Sequence, residues 1–158
     1  MRVIASRTIL LAVLSVCVCG ARAAAAHTAD ELFDPNTVKE VRLYINRDDL
    51  ADLREHYKDN TYYPADFVWD GERVSTVGIR SRGLSSRNAQ KPGLHVDFNR
   101  YVAGQHFLGF KSLALDNLVT DPSMIRERVA MRFFALMGLP APRESFARLY
   151  IKIGRAHV

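Results

Sequence analysis

Residues 62–80 read YYPADFVWDGERVSTVGIR, and this stretch decides the fold. Two segments rich in aromatic and β-branched residues, 62–69 and 74–80, flank the dipeptide Asp70-Gly71. Such a dipeptide between two strand-like segments is typical of the tight turn that joins antiparallel strands. The stretch therefore predicts a β-hairpin, and its aromatic residues are expected to form core and cross-strand pairs.

Four further segments have the pattern of short strands. In residues 40–46 (EVRLYIN), Val41, Leu43 and Ile45 alternate with polar residues, which is the period of a half-buried strand. The other predicted strands are residues 93–98, 111–116 and 147–151.

Two segments have helical periodicity. Residues 48–57 place Leu50 and Leu53 on one face. Residues 121–137 begin with Asp121, whose carboxylate is expected to cap the helix before Pro122. The aromatic residues that this helix is expected to place in the core are Phe133 and Phe134.

The mixture of strands and helices predicts an α+β fold. No repeat or internal boundary is visible, so we expect one domain or the front part of one. The predicted divisions are a secretion signal at residues 1–26, a lead-in segment at 27–39, the domain at 40–151 and an unrelated tail at 152–158.

The N-terminus has the features of a removable secretion signal. Arg2 and Arg7 precede an apolar run of eleven residues, 9–19, and a run of small residues, 21–26, follows it. As a helix the apolar run would reach about 17 Å, against about 30 Å for the hydrocarbon core of a bilayer. We therefore expect cleavage after Ala26 or Ala23, no transmembrane segment in the mature chain, and a secreted, periplasmic or cell-envelope location.

The charge of the whole chain is misleading. The formal net charge is +5, but three basic residues lie in the signal and two in the tail. From His27 to Ile151 the chain contains 17 basic and 17 acidic residues, so the formal net charge of this part is zero. The mature domain has no net positive charge to attract a nucleic acid, so we expect no nucleic-acid partner. Both cysteines, Cys17 and Cys19, leave with the signal, so we expect no disulfide.

The last residues do not continue the pattern of the domain. Residues 153–158 (IGRAHV) are one reading frame of a common sequencing-library adapter, ATCGGAAGAGCACACGTC, and Lys152 fits the codon before it. We therefore expect residues 152–158 to be translated adapter.

Residues 77–98 (VGIRSRGLSSRNAQKPGLHVDF) are chemically the densest part of the chain. A predicted strand delivers Arg80 and Arg82 into a loop that holds Gly83, Ser85, Ser86 and Arg87, and Lys91 precedes the next strand. Small residues let backbone N–H groups approach an anion, and basic side chains neutralise it. The pattern fits a phosphate-binding loop, and it also fits a solvated connection between two strands.

The chain resembles the CotH kinase family, named for spore coat protein H. The resemblance covers residues 40–151. One departure is Leu84, where the family often has Asn. The segments that carry the resemblance are 80–86 (RSRGLSS), 91–98 (KPGLHVDF), 107–113 (FLGFKSL), 115–117 (LDN), 121–127 (DPSMIRE) and 138–142 (GLPAP).

This resemblance implies an atypical protein-kinase-like fold that transfers phosphate from ATP, with Mg²⁺, to Ser or Thr of a protein. It implies that Lys91 binds the nucleotide phosphates and that Glu127 orients Lys91. It places the catalytic and metal-binding aspartates after residue 151, so we expect this chain to be inactive, with no catalytic or metal-binding residue of its own. The candidate cofactor-binding residues are Lys91 and Glu127 from the resemblance, with Arg82, Gly83, Ser85 and Ser86 from the chemistry of the loop.

Other readings of the same residues stay open. Lys91 also fits an exposed lysine at a strand edge, and Glu127 an ordinary charge on a helix surface. Arg80 and Arg82 also fit structural pairing with Asp97 or Asp116.

Two other functions stay open besides the kinase. The first is a non-catalytic envelope, coat or adhesion protein that keeps the fold for binding. The second is a carbohydrate-binding module that uses the aromatic residues of the hairpin. The expected partner is a protein substrate or an envelope or coat protein.

Overall fold

The computed structural model describes residues 27–154. The predicted secretion signal and residues 155–158 of the predicted tail lie outside this range. Within it, no helix is long and apolar enough to cross a membrane. The predicted domain boundaries stay a prediction.

A six-stranded sheet forms the centre of the fold, in the order β5-β4-β3-β2-β1-β6. Neighbouring strands from β5 to β1 are antiparallel, whereas β6 lies parallel to β1 at the edge of the sheet. The strands are β1 (Lys39–Ile45), β2 (Tyr63–Trp69), β3 (Glu72–Arg82), β4 (Gly93–Asp97), β5 (Ser112–Leu115) and β6 (Ala147–Ile153).

The predicted hairpin is confirmed as β2 and β3. Asp70 and Gly71 have φ values of 47° and 85°, and a type I′ turn requires positive φ at both of its central residues. A register shift between Ala65 and Phe67 bends the hairpin. The other four predicted strands are confirmed within a few residues as β1, β4, β5 and β6.

Three helices accompany the sheet: α1 (Ala29–Leu32), α2 (Arg47–Glu55) and α3 (Arg126–Leu136). The first turn of α2 is capped by Asn46, whose side chain accepts the N–H of Asp48 at 2.8 Å. α1 lies inside the predicted lead-in segment, residues 27–39, where the sequence pattern predicts no helix. It forms because Thr28 and Glu31 make a capping box, in which each side chain bonds the backbone N–H of the other residue.

The core lies on one face of the sheet. Leu43 and Ile79 are fully buried there, and Leu50 and Leu53 of α2 pack against the same core. The ring of Phe67 contacts the rings of Phe98 and Phe107, with centroids 5.2 and 4.9 Å away. The hairpin aromatics Tyr63, Phe67 and Trp69 are therefore core residues, as predicted, whereas Tyr62 lies outside the core and is half-buried.

The predicted helix over residues 121–137 is wrong at its start. The chain first makes a turn with positive φ at Met124, and α3 begins only at Arg126. Asp121 still bonds the N–H of Arg126 at 2.8 Å, but it also accepts the N–H of Ser123. The Asp-Pro-Ser sequence therefore closes a local turn instead of the first turn of a helix.

The expectation that Phe133 and Phe134 lie in the core is also wrong. Their exposed fractions are 57% and 38%, and α3 buries none of its residues. Helical periodicity predicts which residues share a face, but the described part of the chain places no element over this one.

The predicted α+β kinase-like fold class is wrong for the described structure. The fold is mostly β: a curled sheet of six strands with few helices. The core forms between the sheet, α2 and the aromatic loop that carries Phe98 and Phe107. Because α3 adds no buried side chain, helices do not form a second layer of the kind an α+β fold requires.

Candidate functional site

The candidate site is the loop of residues 83–92, which joins β3 to β4. Gly83 has a φ of +113°, a conformation that L side chains rarely adopt. A Cβ added to Gly83 would lie 2.5 Å from the hydroxyl oxygen of Ser86. The glycine therefore lets the chain turn sharply out of β3 and places the Ser86 hydroxyl against the turn, whereas Leu84 points into solvent with 95% of its surface exposed.

Asn117 holds the two ends of the loop together. Its side-chain amide, buried just after β5, donates to the carbonyl oxygens of Ser86 at 2.8 Å and Lys91 at 2.9 Å. A buried amide that satisfies two backbone acceptors fixes the loop, since a broken bond would leave a carbonyl without a partner.

Asn88 fixes the same lysine from within the loop. Its side-chain oxygen accepts the N–H groups of Gln90 at 2.9 Å and Lys91 at 2.8 Å. Both backbone groups of Lys91 are therefore held, one by Asn88 and the other by Asn117, while its side chain is exposed.

Arg87 is a structural residue of the loop. Its guanidinium donates to the carbonyl oxygen of Lys58, to those of Gly83 at 2.8 Å and Asp59 at 2.9 Å, and to the side-chain oxygen of Asn60 at 2.6 Å. All these acceptors are uncharged. Arg87 thus ties the loop to the connection between α2 and β2, and its donors are engaged before any anion arrives.

Lys91 and Glu127 are both exposed, and neither takes part in an ion pair within residues 27–154. The contact that the family resemblance implies between them is therefore not formed in the described structure. Glu127 lies in the first turn of α3, outside the loop. The loop does bring Gly83, Ser86 and Lys91 into one connected unit.

Arg82 takes the structural role that the sequence left open. Its guanidinium pairs with Asp116, with an N–O distance of 3.5 Å. Arg80 pairs with neither Asp97 nor Asp116, and donates instead to the side-chain oxygen of Asn60 at 3.2 Å and the carbonyl of Ser81 at 3.0 Å.

Glu144 lies near charged residues of both signs, among them Glu127 and Arg128 of α3. Burial raises the pKa of the Glu144 carboxyl, and the charges of Glu127 and Asp116 raise it further, against the opposing charge of Arg128. Nevertheless, residues 27–154 contain no group of three or more His, Cys, Asp or Glu side chains that fits a metal ion.

Asn88 and Asn117 are the residues of the site that sequence reasoning missed as functional. The role of Asn88 could have been predicted locally, because Asn side chains often accept hydrogen bonds from backbone N–H groups two or three residues later in the chain. Asn117 had none, since its two acceptors lie 31 and 26 residues earlier in the chain.

Two comparisons with known proteins cover this site. Residues 79–154, which run from β3 to the end of β6, match the sequence model of the family described as CotH kinase protein. The chain is also 26% identical over 106 residues to inner spore coat protein H of Bacillus subtilis (strain 168). That match covers 67% of this chain but 28% of the relative. Both matches support the CotH family assignment that the resemblance predicted, and the chain spans little more than a quarter of the length of this relative.

Proposed function

We propose that residues 83–91 bind the phosphate chain of ATP, within an exported CotH-family enzyme that transfers phosphate to Ser or Thr of a protein. The observation that carries the proposal is the environment of Lys91. Its backbone is held on both sides by Asn88 and Asn117, while its ammonium group has no ion-pair partner within residues 27–154. A fixed backbone lowers the cost of ordering the site when a ligand binds, and an ammonium group without an ion-pair partner can bond directly to an anion.

Each group of the loop has a place in this proposal. The Lys91 ammonium neutralises phosphate oxygens, and the turn at Gly83 offers backbone N–H groups without a side chain in front of them. The hydroxyls of Ser85 and Ser86 add donors, and Arg82 adds a second cation at the end of β3. ATP with Mg²⁺ would supply the phosphoryl group and its charge compensation. No step is assigned to the metal, because the described residues offer it no ligand group.

The proposed role of Glu127, which is to orient Lys91, requires a conformation in which the two side chains are in contact. The helix that carries it, α3, buries none of its residues against the sheet. A shift of α3 that brings Glu127 to Lys91 therefore breaks little packing. In such a state the carboxylate would orient the lysine toward the phosphates.

The location and the partner belong to the same proposal. The apolar N-terminal run favours export, and the relative is named as a spore coat protein. We therefore assign the protein to the cell envelope or a coat, with a coat or envelope protein as its substrate.

Stabilisation of the full chain by ATP tests the proposed site. At an ATP concentration 100 times the dissociation constant, binding adds about 2.7 kcal/mol to the free energy of unfolding. We expect the melting temperature of the wild-type chain to rise with ATP and Mg²⁺, and that of Lys91→Ala to rise much less. The control is Lys111→Ala, which removes an equally exposed lysine outside the loop. An equal rise for Lys91→Ala and the wild type would exclude the role of Lys91.

A non-catalytic binding protein is the second candidate. It is favoured by the separation of Lys91 and Glu127, which are both exposed and form no ion pair with each other within residues 27–154. It is also consistent with export, since there is little ATP outside the cytoplasm. In that case ATP would leave the melting temperature of the wild-type chain unchanged.

A further inference from the structure

A cluster of cations and aromatic rings lies on the face of the sheet opposite the core. Along β3, Val77, Ile79 and Ser81 are buried on the core side. Because successive side chains of a strand alternate, Gly78, Arg80 and Arg82 lie on the other face. On the neighbouring strand β4, His95 is the register partner of Arg80.

The ring of Tyr62 organises this cluster. The guanidinium of Arg100 lies 4.5 Å from the ring centroid and that of Arg80 lies 5.5 Å from it, within the range of a cation–π contact. The ring of His95 meets the same ring edge-on at 6.3 Å. Burial, and then the charge of Arg80, lower the pKa of His95 below its ordinary value, against the opposing charge of Asp97.

Gly78 gives Arg100 its place in the cluster. A Cβ at Gly78 would lie 2.6 Å from both Cβ and Cγ of Arg100 and 3.0 Å from the Tyr62 ring. The stem of Arg100 therefore lies directly on the backbone of β3, in a space that only glycine leaves open. Gly78 therefore determines where the side chain of this exposed arginine lies on the sheet.

Arg80 and Arg100 have no acidic partner. Neither takes part in an ion pair within residues 27–154, and the acceptors of Arg80 are uncharged. Asp97 lies opposite Gly78 on β4, and its carboxylate accepts the N–H of Asn99 at 3.0 Å. Arg82 does have a partner in Asp116, but a half-exposed pair at 3.5 Å holds it weakly.

The positions at which the three arginine side chains start follow the period of a strand. Arg80 and Arg82 are two residues apart, which is about 6.6 Å along β3. Arg100 lies over Gly78, two residues before Arg80. We call Arg100, Arg80 and Arg82 the anion row, meaning a row of candidate anion-binding side chains. The row ends at Gly83, where the candidate phosphate loop begins.

We propose that the anion row binds an extended acidic segment of a protein, with Asp or Glu at alternate positions. Alternate side chains of an extended peptide have the same spacing as the row, so each carboxylate meets one guanidinium. A nucleic acid fits less well, since the row is a single file of three cations on a domain with no net charge. The binding does not need ATP; only the inference that this segment belongs to the substrate rests on the proposed function.

The test uses the full chain and a fluorescently labelled peptide of alternating Glu and Thr. Binding is measured by fluorescence anisotropy, with a peptide of the same composition but consecutive Glu residues for comparison. We expect the alternating peptide to bind more tightly, and the double variant Arg80→Gln/Arg100→Gln to lose at least about tenfold in affinity. The control is Arg132→Gln, which removes an exposed arginine on α3. If the double variant does not fold, Arg100→Met alone keeps the stem that packs on Gly78 and removes the charge.

Two outcomes would overturn the proposal. One is equal affinity of the wild type and the anion-row variants for the alternating peptide. The other is tighter binding of a single-stranded oligonucleotide of equal charge that competes with the peptide. Failure of the proposed ATP site is a separate result: Lys91→Ala would then behave like the wild type toward ATP, whereas the Arg80 and Arg100 variants would still lose the peptide.

Discussion

The buried side-chain amide of Asn117 donates to the carbonyl oxygen of Lys91 at 2.9 Å, across 26 residues of sequence. The same amide bonds Ser86, so one side chain after β5 determines where the loop between β3 and β4 returns to the sheet. The position of the lysine therefore depends on a residue that belongs to another strand connection.

Replacing Asn117 with Ala should destabilise the protein. The change leaves the carbonyls of Ser86 and Lys91 without their donor in a partly buried place, so we expect a loss of about 2 kcal/mol in the free energy of unfolding. Urea denaturation measures this loss. Asn36→Ala is the control because Asn36 is exposed and bonds only within its own turn. Equal midpoints for the two variants would show that the bridge does not fix the loop.

Replacing Gly83 with Ala should strain the candidate phosphate loop. The new Cβ meets the Ser86 hydroxyl at 2.5 Å, and the backbone must keep a φ of +113°. Gly104→Ala is a matched control, since Gly104 also has positive φ (+78°) but no atom within 4 Å of its added Cβ. We expect Gly83→Ala to cost at least about 1 kcal/mol more than the control in urea denaturation.

The double variant Gly83→Ala/Ser86→Ala separates the two causes of that loss. It removes the clash with the hydroxyl and leaves the backbone strain, so it should recover part of the stability. No recovery would mean that the backbone conformation alone requires glycine at this position.

Protonation of His27 should be visible in the fluorescence of Trp69, the only tryptophan of the chain. The two rings lie edge to face, 4.9 Å apart, and His27 also contacts Glu31 at 3.1 Å and Asp70 at 3.5 Å. Its hydrogen bond to Glu31, followed by the charge of Asp70, raises the pKa of His27 above 6.5 despite an opposing contribution from burial. A raised pKa stabilises the fold at pH values below the unfolded value, and this stabilisation is lost as the pH rises through the folded pKa.

We therefore expect Trp69 emission to fall as the pH falls through the raised pKa of His27, because a protonated imidazole quenches a neighbouring indole. His27→Gln should abolish this transition. The control is His56→Gln: the pKa of His56 is also raised, chiefly by its hydrogen bond to Asp52, but His56 lies on the far end of α2. A transition that survives His27→Gln would assign the quenching to another group.

The exposed face of α3 should make the chain associate with itself. Val129, Phe133 and Leu136 are 59%, 57% and 72% exposed, and they line one apolar groove with a volume of about 480 Å³. Since large exposed apolar patches favour association, Phe133→Ser/Leu136→Ser should lower the apparent mass in light scattering. Leu84→Ser is the control, because Leu84 is 95% exposed but stands alone. An equal effect of Leu84→Ser would show that the patch as such has no role.

The local pattern of the sequence determined the sheet strand by strand. Alternation in β1, the Asp70-Gly71 turn and the short apolar segments of β4 to β6 each fix their structure through neighbours a few residues away. The loop at residues 83–91 was recognisable as a candidate site for the same reason, since its Gly, Ser and Lys residues lie within a few positions of one another.

Only the tertiary structure decided which of these elements meet. The parallel pairing of β6 with β1, the exposure of α3 and the mostly β architecture depend on contacts between segments about 100 residues apart or on their absence. Two further contacts also depend on the tertiary structure: the hydrogen bond from the Asn117 amide to the Lys91 carbonyl, and the packing of the Arg100 side chain on Gly78. A one-dimensional pattern specifies the conformation and the apolar face of a segment, but it does not state which surface covers that face.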